Sequence, residues 1–142
     1  MRLFLDANVI FSAAHTAQGR AQELVALARA GHCRLYSSRH ALDEARRNLE
    51  RKSRDFEARL DISLGQITLH AEAPARLLDW AHLEGLPVQD AQILAAAVHA
   101  GAELLVTGDA RHFGPLFGKV LRGVRVVTLA EALARVLNEA SG

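Results

Sequence analysis

Apolar positions along the chain fall into two alternating periods, and that alternation is the first guide to its architecture. Leu3, Phe4 and Leu5 form a short unbroken apolar run, the pattern of a strand buried on both faces, and predict a strand over residues 2–5. Residues 19–30 instead carry apolar side chains at 21, 24, 25, 27 and 28, the stripe of an amphipathic helix that Gly31 closes. A second strand follows over 33–36. Ser37 or Ser38 can then cap a helix over 39–52, whose apolar line is Ala41, Leu42, Ala45 and Leu49. A helix over 55–64, a short strand over 67–70 and a helix over 75–84 ended by Gly85 continue the alternation. After Pro87, residues 89–100 repeat Ile93, Leu94, Ala97 and Val98 at the helical period up to Gly101. Leu104 to Val106 is again a continuous apolar run, 124–127 reads as the last strand, and Thr128 with Glu131 forms a capping-box pattern opening a terminal helix. Strands alternating with helices predict an α/β protein: three layers, α/β/α, around a mainly parallel sheet of four to five strands.

Composition narrows the class without naming a function. At 142 residues, half of them hydrophobic, the chain suits a single domain over 1–142 with a sizeable core. The net charge of +1 and pI near 8.1 announce no global affinity for nucleic acid, so any basic surface must be local. A lone cysteine, Cys33, rules out an intramolecular disulfide and a cysteine-based zinc cluster, and its apolar neighbours suit a small buried side chain. The N-terminus shows no secretory pattern, and no apolar run approaches the roughly 18 residues of a membrane helix, so a soluble cytoplasmic protein without membrane contact is expected.

Candidate chemistry gathers at strand and helix ends. Asp6 follows the first strand, and Asn8 is placed to hold it by a hydrogen bond; Asp109 follows Thr107 and Gly108 at the end of another strand. Should these strands be parallel neighbours, Asp6 and Asp109 emerge side by side on the sheet edge where open α/β sheets bind ligands. Asp90 falls in the first turn of its helix, where the macrodipole favours a negative charge. Each has a plainer alternative: Asp6 as a cap, Asp90 as a dipole partner, Asp109 as a turn residue. On the 39–52 helix, Asp43 lies with Arg39, Arg46, Arg47 and Glu50 on a solvated face. Glu44 flanks Ala41, Ala45 and Asn48 at the edge of the buried one. These residues alone leave Glu44 open.

Three blocks, LFLDANVIFSA, SSRHALDEARRNL and PVQDAQILAAAVHAGAELLVTGDARHF, in that order over most of the chain, resemble the PIN-domain family and, within it, the VapC-like toxin nucleases. The resemblance implies a metal-dependent ribonuclease acting on RNA, with Asp6, Glu44, Asp90 and Asp109 as an acidic cluster holding Mg²⁺ or Mn²⁺. It selects Glu44 over Asp43, and it implies a homodimer silenced by a small antitoxin protein. A hard divalent ion also answers a physical problem, since four converging carboxylates would otherwise repel one another and retain protons at neutral pH. Thr107 is a candidate for adding a hydroxyl to the ion or its water. Some family members carry a further acid shortly after the position of Asp109, where this chain has Arg111 and His112, so one ion or two stays open.

Arg111 and His112 are candidates for touching phosphate. So is the basic helix end Arg46, Arg47, Arg51, Lys52 and Arg54, although Glu50 and Asp55 interrupt it and a solvated face is the simpler account. The other six histidines show no ligand spacing, and Trp80 suits core or interface. Two alternatives are weighed. Asp6-Ala7-Asn8-Val9-Ile10 echoes haloacid-dehalogenase-type phosphatases, but Asn8 stands where their second acid belongs and Phe113 where a later one belongs. A catalytically silent PIN-like RNA-binding scaffold would be expected to lose acids, and all four are present.

Overall fold

Six strands and eight helices alternate along the residues that the computed structural model describes, 1–51 and 55–141, with Asp55 by its backbone alone. The order is β1 (Arg2–Leu5), α1 (Ala7–His15), α2 (Arg20–Arg29), β2 (Arg34–Ser37), α3 (Arg39–Glu50), α4 (Asp55–Leu64), β3 (Ile67–Leu69) and α5 (Ala75–Leu83). Then come α6 (Val88–His99), β4 (Leu104–Val106), the single-turn α7 (Ala110–Phe113), a 3₁₀ turn at Gly114–Leu116, β5 (Val120–Leu121), β6 (Val124–Val127) and α8 (Leu129–Ser141). The expected helix end at residue 52, with Lys52 and Arg54, lies outside the described residues.

All five expected strands pair in one sheet of order β3-β2-β1-β4-β6-β5, parallel except for β5 on β6. The sixth strand, β5, extends the expected four to five. It joins β6 through Arg122 and Gly123, whose positive φ values of 48° and 86° form a two-residue hairpin turn of the primed kind. An arginine at positive φ hides that turn from sequence reading. Here the guanidinium lies 4.5 Å from the ring centre of Trp80, a cation–π contact that helps hold it there.

The chain builds outward from β1 through β2 to β3, then crosses back to place β4 on the other flank of β1. Right-handed crossovers therefore put α1 to α4 on one face and α5 with α6 on the other, making three layers. The packing agrees: α1 lies against α2, α3 and α4, α2 against α8, and α5 against α6. Phe4, Leu5, Leu105 and Val106 are fully buried between these layers. The reversal of strand order falls between β1 and β4, and such switch points open a crevice at the strands' carboxyl ends. Among the described residues no helix is long and apolar enough to cross a membrane.

Candidate active site

Pairing brings the carboxyl ends of β1 and β4 together, with Leu5 opposite Val106. Beyond the last pair, the Asp6 N–H donates to the Val106 carbonyl at 3.0 Å, so Asp6 and Thr107 leave the sheet side by side. The Thr107 hydroxyl donates to Asp6 Oδ2 at 2.7 Å and accepts the Asp109 N–H at 3.1 Å. Asn8 clips the two junctions together: its Nδ2 donates to Asp6 Oδ2 at 3.2 Å, and its Oδ1 accepts the Gly108 N–H at 2.8 Å. Thr107 and Asn8 thus hold the acids in place, the role expected of Asn8. Asp6 is also the N-cap of α1, accepting the Ala7 N–H at 2.7 Å through Oδ1. The plain capping account and the functional one apply to the same side chain.

Ser38 caps α3, accepting the Ala41 N–H at 3.2 Å, and the buried Ala41, Leu42, Ala45 and Leu49 fix the helix's rotation. Glu44 consequently lines a cavity of about 480 Å³ together with Asp6, Asn8, Asp90 and Asp109. Asp90 arrives from the first turn of α6 and Asp109 caps α7, accepting the His112 N–H at 3.1 Å. Their outer oxygens converge on one ring nitrogen: His112 Nδ1 lies 3.1 Å from Asp90 Oδ2 and 2.9 Å from Asp109 Oδ2.

Burial pushes the Asp6 carboxyl up to about 6; Thr107 and the Ala7 N–H oppose the rise, and the negative Glu44 and Asp90 add to it. Asp90 is raised as well, by burial and then by the charge of Asp109, with His112 countering. Burial also acts to raise Asp109, but the hydrogen bonds from His112 outweigh it and hold that carboxyl below its ordinary value. The cavity therefore keeps carboxylates close and partly dehydrated. An oxygen-rich donor set of Asp6, Glu44, Asp90, Asp109 and Asn8 fits a hard divalent cation better than any soft one.

Phe11, Asn48 and Arg51 also line the cavity; sequence reasoning had Arg51 among the basic side chains that could touch phosphate and Asn48 only as a neighbour of Glu44, and it gave Phe11 no role. Asn48 and Arg51 stand four and seven residues after Glu44, the helical spacing that puts them on its side. Arg46 turns instead toward Asp61, 3.9 Å away, while Arg47 and Arg111 are exposed and do not line the cavity. His112, a candidate for touching phosphate, meets the carboxylates of Asp90 and Asp109.

The sequence profile of the family described as "PIN domain" matches residues 2–111. Three solved structures share the fold. VapBC2 from Rickettsia felis, bound to a DNA fragment from their promoter, is 18% identical with a TM-score of 0.63, covering 90% of this chain and 98% of that one. PAE2754 from Pyrobaculum aerophilum is 18% identical, TM-score 0.65, over 97% and 99% of the two chains. FitAcB from Neisseria gonorrhoeae is 18% identical, TM-score 0.59, over 90% and 98%. No curated protein matches the chain.

Proposed function

The chain belongs to the PIN-domain family, and from that premise we propose that it is a Mg²⁺- or Mn²⁺-dependent endoribonuclease, the toxin half of a toxin–antitoxin pair. Membership sets aside the phosphatase alternative. One observation carries the reading: carboxylates from the β1 end, α3, α6 and the β4 end line the same cavity. When bound there, a divalent ion would supply charge neutralisation at a phosphodiester and make an attacking water more acidic. Asp6, Glu44, Asp90 and Asp109 are its ligands in this reading. Thr107, Asn8 and the Ala7 N–H hold Asp6, and the His112 backbone N–H holds Asp109, so the oxygens are oriented before an ion arrives. Arg51, on the same cavity wall, is placed to meet a phosphodiester oxygen and draw the strand toward the acids.

The toxin role, a homodimeric state, a small antitoxin partner and a cytoplasmic location extend the likeness to VapC-like nucleases, and the fold shared with the VapBC2 and FitAcB structures supports it. Cleavage of single-stranded RNA by the parent and by Asp6→Asn, each with Mn²⁺ and with a chelator, tests the enzyme. Parent activity that needs Mn²⁺ and falls at least about a hundredfold in the variant is expected for loss of a ligand. Equal cleavage by the two proteins ends the nuclease reading, and RNA binding without cleavage in the parent replaces it with the scaffold.

A further inference from the structure

Beyond the four acids, one side chain touches two of them at once. His112 Nδ1 lies 2.9 Å from Asp109 Oδ2 and 3.1 Å from Asp90 Oδ2, and the three donor atoms lie within 4.8 Å of one another. An octahedral ion with bonds of about 2.1 Å holds adjacent donor atoms about 3 Å apart, the spacing of both contacts. The Asp109 contact has hydrogen-bond geometry and the Asp90 contact does not, so a single N–H does not serve both carboxylates. A lone pair on that nitrogen, aimed at an ion that both carboxylates also bind, satisfies all three groups. Access is open, since the side chains of His112, Asp109 and Asp90 keep 37%, 24% and 17% of their surfaces exposed. The local fold fixes the ring. Asp109 caps α7 through Oδ1 by holding the His112 N–H, which leaves Oδ2 beside the imidazole.

We propose that His112 is itself a ligand of the divalent ion through Nδ1, forming with Asp90 and Asp109 a mixed nitrogen–oxygen centre that prefers Mn²⁺ to Mg²⁺. The inference rests on the metal-dependent reading above and adds to it a ligand that is not a carboxylate. Imidazole binds Mn²⁺ more readily than Mg²⁺, which demands oxygen donors and gives up its water reluctantly. With imidazole as one of the donors, the choice of ion is written into α7.

Pulsed electron paramagnetic resonance of Mn²⁺ bound to the full chain reads the bond directly, with calorimetric titration of Mn²⁺ and of Mg²⁺ alongside. The parent is expected to show the ¹⁴N coupling of a bound imidazole, and His112→Gln to lose it. Loss of the ligand should weaken Mn²⁺ binding about tenfold or more, with Mg²⁺ binding changed less than about threefold. His112→Asp, which returns an oxygen donor, should narrow the preference for Mn²⁺. A coupling that survives in His112→Gln, or is missing from a parent that binds Mn²⁺, overturns the ligand assignment and leaves the nuclease reading standing. A folded parent that binds no Mn²⁺ overturns both.

Discussion

Asp6 answers two demands with one side chain, and the conflict is measurable. It caps α1 and faces the other acids from an almost fully buried position, 4% exposed, with its carboxyl raised from 3.8 to about 6. Because the folded protein holds this proton more tightly than the unfolded chain, Asp6 adds stability below pH 4 and loses it as pH rises to about 6. The loss is on the order of 3 kcal/mol, and Asp90 acts in the same direction. Without metal, the stability of the parent relative to Asp6→Asn should therefore fall between pH 4 and 6 and level off above; saturating Mn²⁺ should remove most of the fall. Urea unfolding at several pH values checks this, and a metal-free difference independent of pH would contradict it. Asp6, Asp90 and Asp109 were legible in the sequence because each stands at the end of a strand or the start of a helix, where topology aims side chains at a crevice. Glu44 was not, since a helix edge reads alike whether it faces water or a cavity, and only the family pattern chose it. The neighbourhood of His112 was legible and its partners were not, because the contact with Asp90 spans 22 positions of sequence.

Whole elements set which residues can act together. Helix α3 presents Glu44, Asn48 and Arg51 to the cavity at spacings of four and three, while Ala41, Ala45 and Leu49 bury the neighbouring stripe. Glu44 and the arginine proposed to meet phosphate thus come from one rigid rod, Arg51 standing at its C-cap. Arg51→Ala should raise KM for RNA about three- to tenfold, the worth of one partly exposed charged contact, with kcat little changed. Its unfolding free energy should move by less than about 0.5 kcal/mol, as for an exposed site. A fall confined to kcat would move Arg51 from binding to the reaction itself. Strong periods announced the strands and the amphipathic α2 and α3. Helix α1 went unread although Asn8, Ser12 and His15 stand four and three residues apart, opposite the buried Ala7, Val9, Ile10, Ala13 and Ala14; over nine residues that stripe is short, and it directly continues the apolar run of β1. Strand β5 and helix α7, with two and four residues, are too short to carry one.

For the molecule as a whole, the strand order decides the site. Starting the sheet at its centre and reversing between β1 and β4 sends Asp6 and Asp109 into the same crevice, and the crossover that returns to β4 delivers α6 with Asp90. Near-neutral net charge leaves little long-range pull on RNA, so the account depends on an ion gathered at that crevice and on few basic contacts. Anomalous scattering from crystals of the full chain grown with Mn²⁺ tests that most directly. The expected result is a peak inside the cavity, within about 2.5 Å of carboxylate oxygens of Asp6 and Asp109 and joined by Glu44 or Asp90 directly or through water. A cavity without a peak at saturating Mn²⁺, or an ion bound only elsewhere on the surface, would contradict the account.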